Sequence, residues 1–259
     1  MCACGESARL PPNSFRFRAD IAETVLYSGI DRKDFFMFYR TVIFDLDGTL
    51  LDTLGDLAAA GNHALTAMGL PTHETDAYRF FVGNGVPKLI ERILPEANRG
   101  EASQALALSL FRRYYAEHAM ERTRPYDGIA AMLQTLKESG VQLGVLSNKD
   151  DAFTQSIIAH FFPNMMDAVL GRKEGAAPKP DPASLQSMMS TFGCSPQETL
   201  YVGDSNVDVR TAHNAGVECC GAVWGFRGEA ELTGAGADAL AFSAADVLSV
   251  VQTGCIANS

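Results

Sequence analysis

The sequence lacks the cysteine patterns that bind metals or build disulfide frameworks. Its six cysteines are scattered along the chain, and no two of them form a Cys-x-x-Cys pair of the kind used by zinc sites and redox enzymes. Disulfide frameworks are typical of small secreted domains, and a chain of 259 residues with this spacing does not match that class. We therefore expect a protein of a reducing, cytoplasmic compartment.

Positive charge is scarce and long apolar runs are absent. The chain has 21 lysines and arginines against 31 aspartates and glutamates, a net charge of −10, whereas binding to nucleic acid requires a basic surface. No apolar run approaches the ~18 residues of a membrane span. We expect neither a nucleic-acid partner nor a membrane partner. A small phosphorylated metabolite stays compatible with this charge, because one local cationic site can override it. The oligomeric state is not readable.

The first 40 residues differ from the rest of the chain. They lack the apolar segment of a secretory signal, and we interpret residues 1–40 as a disordered N-terminal extension. Arg9, Arg16 and Arg18, together with few acidic residues, leave an organellar transit peptide as an alternative. Translation could also begin at Met37, four residues before the first predicted strand.

Short apolar segments separated mostly by helical patterns predict an α/β fold, a doubly wound and mostly parallel sheet. The predicted strands are residues 41–46, 141–146, 167–170, 199–203, 219–224 and 238–242. Residues 56–124 interrupt the alternation, because they contain amphipathic helical patterns and no convincing strand. We therefore predict a core domain of residues 41–55 and 125–259, with an all-α helical cap domain inserted at residues 56–124.

Two aspartates, Asp45 and Asp47, follow the first predicted strand in the segment TVIFDLDGTLLDT. In a parallel sheet, ligands bind beyond the carboxyl ends of the strands. Period-two spacing points both side chains the same way if the strand geometry continues. Two neighbouring carboxylates repel each other, and a hard divalent cation is the natural group to neutralise them. For this segment alone, a pair of turn or helix-capping aspartates is the alternative.

Two further segments carry candidate phosphate ligands. In LGVLSNKD, Ser147 and Asn148 follow another predicted strand, where a helix N-terminus can hold phosphate. Serine followed by asparagine is also an ordinary N-cap. In APKPDP, Lys179 lies between two prolines, which hold it on a stiff segment as a point charge for phosphate. A solvated surface lysine is the alternative there.

The segment TLYVGDSNVDVR repeats the pattern of a strand followed by aspartate. Asp204 comes directly after the predicted strand, and we favour it as a metal ligand. Asp208 is ambiguous, because Ser205 with an acid three residues later is typical of a capping box. We thus expect the strand ends of one sheet to bring carboxylates, a hydroxyl and a lysine together in one site.

These segments, in this order, resemble the four motifs of the haloacid dehalogenase superfamily of phosphatases. The matching stretches are DLDGT at 45–49, Ser147 in LSNK, Lys179 in KPDP, and GDSNVD at 203–208. The match covers roughly residues 41–255, and the helical insert lies where that superfamily places its C1 caps. Within the superfamily the chain is most similar to phosphoglycolate phosphatases, through LLDTLGDL, VGNGVPKLIER, RPYDGI and PKPDP.

The resemblance implies a Mg²⁺-dependent phosphomonoester hydrolase that converts 2-phosphoglycolate to glycolate and phosphate. Asp45 is expected to attack phosphorus and form an aspartyl-phosphate, and Asp47 to act as general acid and then general base. The implied Mg²⁺ site consists of Asp45, the main-chain carbonyl of Asp47, Asp204 and, in support, Asp208. The implied contacts to the transferring phosphoryl group are Lys179, Ser147, Thr49 and Asn148.

The cap is expected to supply selectivity. Gly83-Asn84-Gly85 leaves main-chain N–H groups exposed in a tight turn where a small carboxylate could dock, with an ordinary inter-helix turn as the alternative. Lys88 is the only lysine in the cap, and we expect it to be solvated. The competing functions are a nucleotidase, a pyrophosphatase or a β-phosphoglucomutase-type mutase. A non-enzymatic binding module is disfavoured because no motif aspartate is missing.

Overall fold

A six-stranded sheet forms the centre of the computed structural model, which describes residues 37–254. Its strands are β1 (Thr41–Phe44), β2 (Gln142–Asp150), β3 (Ala168–Arg172), β4 (Thr199–Gly203), β5 (Glu218–Ala222) and β6 (Ala239–Ala241). They lie in the order β3-β2-β1-β4-β5-β6, and every neighbouring pair is parallel. All six predicted strands are confirmed. The largest difference is in β2, which continues past the expected end at residue 146 to Asp150.

The segment after β1 is helical, as the sequence predicts. It contains α1 (Leu54–Ala67), α2 (Tyr78–Phe81), α3 (Val86–Ile93) and α4 (Glu101–His118), with single 3₁₀ turns at Thr75–Ala77 and Glu96–Asn98. Helix α1 packs along α4, and the buried rings of Tyr78, Phe111 and Tyr115 belong to the apolar interior of this segment. The division of the chain into a core domain and a cap at residues 56–124 stays a prediction.

Helices cover both faces of the sheet. They are α5 (Ile129–Glu138), α6 (Asp151–Phe161), α7 (Ala183–Phe192), α8 (Asn206–Asn214), α9 (Gly228–Ala235) and α10 (Ala244–Thr253). Val42 and Phe44 belong to the apolar cluster that includes α5 and α10, whereas Ile43 belongs to the cluster that includes α7 and α8. Because alternate residues of β1 are buried on opposite faces, its sequence is a continuous apolar run.

The two chain crossings between the sheet and the helical segment are joined to each other. Leu51–Asp52 pairs antiparallel with Arg124–Pro125. Next to this pair, Asp56 in α1 accepts hydrogen bonds from the main-chain N–H groups of Arg122 and Thr123 and from Thr123 Oγ1. Asp56 is buried, so these bonds replace its lost hydration and hold the start of α1 against the returning chain.

The predicted N-terminal extension, residues 1–40, falls mostly outside the described residues. Within them, Phe38 and Tyr39 donate main-chain hydrogen bonds to Val251 O, and Arg40 donates one to Glu198 O. Residues 37–40 therefore pack against the folded chain. Among the helices of the described range, none combines the length and the apolar character that crossing a bilayer requires.

Candidate active site

The predicted core residues meet at the carboxyl ends of three neighbouring strands. Asp45 and Asp47 follow β1, Ser147 lies in the last part of β2, and Asp204 follows β4. Since β1 pairs in parallel with both β2 and β4, these ends open at the same edge of the sheet. A cleft between this edge and the helical segment is lined from the helical side by Leu57, Val82, Gly83, Gly85, Val86 and Leu89.

Lys179 is the buried cation at the centre of this site. Its Nζ donates hydrogen bonds to Asp208 Oδ1 at 2.7 Å, Tyr201 Oη at 2.9 Å and Leu146 O at 3.2 Å. Burial lowers the pKa of Lys179, but the charges of Asp208 and Asp45 outweigh burial and hold it well above its ordinary value. Asp45 Oδ1 lies 2.9 Å from Nζ. This buried oxygen is thus in contact with the ammonium but has no hydrogen bond of good geometry from the described part of the chain.

Three buried carboxylates face one another. Asp45, Asp204 and Asp208 each offer an oxygen, and these oxygens lie within 4.8 Å of one another. Burial raises the pKa of Asp45 to about 7, against the opposing charge of Lys179. Burial, followed by the charges of Asp208 and Asp45, holds the pKa of Asp204 well above its ordinary value. A hard divalent cation among these oxygens would satisfy Asp45 Oδ1 and offset the repulsion, so the residues present fit a Mg²⁺ site.

Asp204 is held by its backbone surroundings. Phe226 N donates a hydrogen bond of 2.7 Å to Asp204 Oδ2. Gly48, at φ +86°, approaches Asp204 so closely that a Cβ at position 48 would overlap the carboxylate. Glycine is required there both by the positive φ and by this approach. The consequence is that the loop after β1 and the carboxylate after β4 have a fixed relative position.

Asp208 has hydrogen-bonding partners at both oxygens. Its Oδ2 accepts hydrogen bonds from Ser205 N at 3.1 Å and Ser205 Oγ at 2.6 Å, which completes a capping box at the start of α8. Its Oδ1 accepts from Lys179. The capping box that the sequence suggests is therefore present, and Asp208 orients Lys179 as well. A direct role of Asp208 in metal binding stays a prediction.

Asp47 forms an ion pair with Lys149, a residue that the sequence did not indicate as part of the site. Lys149 Nζ lies 2.8 Å from Asp47 Oδ1 and 2.9 Å from Oδ2, and Thr53 Oγ1 donates a bond of 2.7 Å to Oδ1. The Lys149 ammonium also lies 5.0 Å from the ring centre of Tyr115 in α4. Period-two spacing in a strand that continues past Ser147 was the available signal, because residues two apart share a face.

The predicted phosphate contacts differ in their environment. Ser147 lines the cleft, whereas Thr49 is fully buried with its hydroxyl unpaired among the described residues. The Asn148 side chain donates hydrogen bonds to Gly83 O at 3.0 Å and Lys179 O at 3.2 Å. It also accepts one from Lys179 N at 2.8 Å. Asn148 therefore fastens the Lys179 segment to the helical side of the cleft.

The turn before α3 contributes its glycines to the cleft. Gly83 has φ +115° and Gly85 has φ +84°, and both line the cleft. The Asn84 side chain instead accepts a hydrogen bond of 2.7 Å from Arg92 Nη2. Lys88 is exposed and forms an ion pair of 2.7 Å with Glu91, as expected for a solvated lysine. Gly83 and Gly85 thus line the cleft, the Asn84 side chain is engaged by Arg92, and contact of this turn with a ligand stays a prediction.

Comparison with known proteins places the chain in a family. A family model described as haloacid dehalogenase-like hydrolase matches residues 42–222. The chain is 38% identical over 192 residues to a phosphoglycolate phosphatase of Pseudomonas putida, covering 72% of this chain and 70% of that protein. It is 30% identical over 223 residues to one of Thiobacillus denitrificans, covering 85% and 98%.

A solved structure agrees with these sequence relatives. The crystal structure of a predicted phosphoglycolate phosphatase from Haemophilus somnus has a TM-score of 0.77 and 30% identity to this chain, with coverage of 82% and 97%. The matched family region contains both strand-end aspartates, Lys179 and the segment around Asp204. On this evidence the chain belongs to the haloacid dehalogenase-like hydrolase family.

Proposed function

We propose that this protein hydrolyses 2-phosphoglycolate to glycolate and orthophosphate, using Mg²⁺ and an aspartyl-phosphate intermediate. Phosphoric monoester hydrolysis as such follows from its family and from relatives named phosphoglycolate phosphatase. The observation that carries the finer proposal is Asp45 Oδ1, a buried carboxylate oxygen without a hydrogen bond, 2.9 Å from the Lys179 ammonium. An oxygen left free in this way can still form a bond.

In the proposed first step, an Asp45 oxygen attacks phosphorus while the bond from phosphorus to the glycolate oxygen breaks. Asp47 gives its proton to that oxygen, so glycolate leaves as an alcohol. In the second step, Asp47 takes a proton from water, and the water oxygen displaces Asp45 from phosphorus. The covalent route divides one difficult displacement into two easier ones.

Proton transfer requires Asp47 to change partners. Both of its oxygens are held by Lys149, and one also accepts from Thr53. To reach the substrate oxygen, Asp47 must therefore exchange the Lys149 ammonium for the leaving group. Lys149 and Thr53 are positioning residues in this scheme, because they hold the general acid and do not touch phosphorus.

The proposed metal ligands are Asp45, the main-chain carbonyl of Asp47, and Asp204, with Asp208 supporting the arrangement through Lys179 and Ser205. When bound, Mg²⁺ supplies Lewis-acid stabilisation of charge on the transferring oxygens. Lys179 and Ser147 are placed to contact the same oxygens, where charge is spread in the transition state.

The helical segment, residues 56–124, is proposed to act as a cap over the site. The cavity beneath it has a volume of about 30 Å³, which has room for about two water molecules. Substrate entry therefore requires this segment to move, and closure behind the substrate would expel water.

The test compares wild type, Asp45→Asn and the control Asp127→Asn, which removes an exposed aspartate. Orthophosphate release is measured with 2-phosphoglycolate, AMP, pyrophosphate and β-glucose 1-phosphate, with Mg²⁺ and with EDTA. We expect 2-phosphoglycolate to have the highest kcat/KM, EDTA to abolish turnover, and Asp45→Asn to lose at least about 1,000-fold. Acid-quenched wild type should contain phosphorylated protein.

Each alternative predicts a different result in this assay. Unchanged Mg²⁺-dependent hydrolysis by Asp45→Asn would exclude Asp45 as the nucleophile. Phosphoryl transfer to a sugar phosphate with little orthophosphate would indicate a mutase. A higher kcat/KM for AMP or pyrophosphate would retain the mechanism and replace the substrate.

A further inference from the structure

Arg227 is a cation of the cleft that the proposed chemistry does not use. It lies between β5 and α9 and lines the cleft together with Asp45 and Ser147. Its side chain is only 14% exposed. Arg227 lies outside the four sequence motifs, so its place in this cleft is visible only in the folded structure.

The Arg227 guanidinium has little to neutralise it. Nη2 donates one hydrogen bond of 2.9 Å, to the main-chain oxygen of Val82. The nearest carboxylate in the described chain is that of Glu231, whose Oε2 lies 4.0 Å from Nη1, beyond hydrogen-bonding distance. A guanidinium has five N–H donors, and a buried charge is normally paired. The unpaired edge of Arg227 therefore favours an anionic ligand.

Two further arginines surround the same turn. A Cβ at Gly83 would lie 3.7 Å from Arg227 Nη2, and one at Gly85 would lie 3.0 Å from Arg172 Nη1. Arg92 binds neutral oxygens, those of Phe81 and Asn84. Burial lowers the pKa of Arg92, and the charge of Arg227 lowers it further. Within residues 37–254, neither Arg92 nor Arg172 has an ion-pair partner within 4.0 Å.

We infer that Arg227, with the main chain of the Gly83–Gly85 turn, binds the carboxylate at the non-reacting end of the substrate. This inference rests on the proposed function and names the residue that selects its substrate. A planar guanidinium edge matches a carboxylate through two parallel hydrogen bonds. The apolar side chains of Leu57, Val86, Leu89 and Phe226 also line the cleft. Apart from Arg227, the polar and charged side chains of the cleft lie in or directly after β1, β2 and β4, at the reacting end; they are Asp45, Asp47, Ser147, Asn148, Lys149, Asp204 and Ser205.

The test uses esters that differ only at the far end. They are 2-phosphoglycolate, its uncharged amide 2-phosphoglycolamide, and ethylene glycol bisphosphate. For each, kcat/KM is measured with wild type, Arg227→Gln, Arg227→Lys and the control Arg210→Gln, which removes an exposed arginine from α8. The readout is the ratio of kcat/KM for the carboxylate to that for the amide, and thermal melts report folding.

We expect a wild-type ratio of about 100, because a buried arginine–carboxylate pair is lost with the amide. Arg227→Gln should lower this ratio to within about threefold of one, and Arg210→Gln should keep it. Arg227→Lys should give an intermediate ratio, because lysine keeps the charge and loses the planar pair of donors. If Arg227→Gln does not fold, the ratios measured for Arg227→Lys and for wild type still test whether Arg227 selects the carboxylate.

Contrary results separate the two proposals. A wild type that hydrolyses all three esters with a ratio near one would overturn the role of Arg227 and leave the phosphatase intact. A wild-type ratio retained in Arg227→Gln would do the same. A higher kcat/KM for the bisphosphate than for 2-phosphoglycolate would overturn the carboxylate assignment. A wild type that hydrolyses none of them with Mg²⁺ would overturn the proposed function itself.

Discussion

Asp204→Asn removes one of three facing carboxylates while keeping the shape of the side chain. Asparagine can still accept the hydrogen bond from Phe226 N through its carbonyl oxygen. The substitution therefore changes the charge at this position and little else. Without a divalent cation we expect the variant to be more stable than wild type, and with Mg²⁺ we expect the order to reverse.

The magnitude follows from the geometry of the cluster. At an effective dielectric constant of about 20, two unit charges 4.8 Å apart repel each other by about 3.5 kcal/mol. Asp204 faces two such charges, those of Asp45 and Asp208, and the attraction of Lys179 offsets them only in part. We expect a net gain of about 1–2 kcal/mol on removing the charge, which corresponds to a Tm increase of about 4 °C for a chain of this size.

The sign of the pH dependence is fixed by the raised pKa values. A carboxylate with a folded-state pKa above its unfolded-state value of 3.8 binds more protons in the folded protein. Its environment therefore costs no stability below the unfolded-state pKa, and the cost grows as the pH rises from that value to the folded-state pKa. Asp45, with a pKa of about 7, extends the same trend to neutral pH. The advantage of Asp204→Asn should thus be smaller at pH 5 than at pH 8, and it should vanish only below the unfolded-state pKa of 3.8.

Differential scanning fluorimetry in EDTA at pH 5 and pH 8, repeated with Mg²⁺, measures the Tm of Asp204→Asn and of wild type under each condition. Mg²⁺ at about 100 times its Kd should stabilise wild type by about 2.7 kcal/mol and should not affect Asp204→Asn. Asp127→Asn serves as the control for loss of one exposed charge. Two results would refute the idea that this carboxylate is electrostatically strained. One is a metal-free Asp204→Asn variant with a Tm below that of wild type at pH 8. The other is a Tm difference between variant and wild type that is the same at both pH values.

Two further substitutions test the ion pair at Asp47 and the junction at Asp56. Lys149→Met leaves Asp47 without its buried ammonium, and we expect urea titration to show a loss of about 3–5 kcal/mol in unfolding free energy. A loss below about 1 kcal/mol would mean that the pair contributes little. Asp56→Asn replaces one of two accepting oxygens with an NH2 donor that faces main-chain N–H groups, and should cost about 1–3 kcal/mol in the same assay. If Asp56→Asn and Asp127→Asn have the same unfolding free energy, the Asp56 hydrogen bonds do not stabilise the junction.

The sheet could be predicted because its strands are buried on both faces. Val42, Ile43 and Phe44 are fully buried although alternate residues point to opposite sides. Burial on both faces requires a continuous apolar run, and such runs are visible in a sequence. The site residues after these strands could be predicted for a related reason, since the carboxyl ends of parallel strands share one edge.

The end of β2 shows what local sequence could not determine. We expected a helix N-terminus directly after residue 146, but the strand continues to Asp150. Ser147, Asn148 and Lys149 all line the cleft, and the Asn148 side chain in addition binds the main chain of Lys179. A shift of a few residues in a strand boundary thus gave the Asn148 side chain a structural role that the sequence did not indicate, and its contact with phosphate stays a prediction.

Arg227 could not be predicted because its role depends on a contact between distant parts of the chain. Its guanidinium meets the Val82 carbonyl, and the separation between the two residues is 145 positions. Nothing in the segment WGFRGE indicates such a partner. Tyr201 is similar, because its hydroxyl contacts Lys179 only when β4 and the proline-flanked segment come together.

The charges of the cleft predict that the proposed dianionic substrate and the proposed divalent cation bind with linked affinities. Four carboxylates, those of Asp45, Asp47, Asp204 and Asp208, surround two ammonium groups, those of Lys149 and Lys179. When all are ionised, the reacting end has an excess of two negative charges, which repels a phosphate dianion. One divalent cation would bring this excess to zero, and an anionic substrate would then meet no net repulsion at the reacting end. Apparent substrate affinity should therefore depend on Mg²⁺ concentration in wild type and lose that dependence in Asp204→Asn.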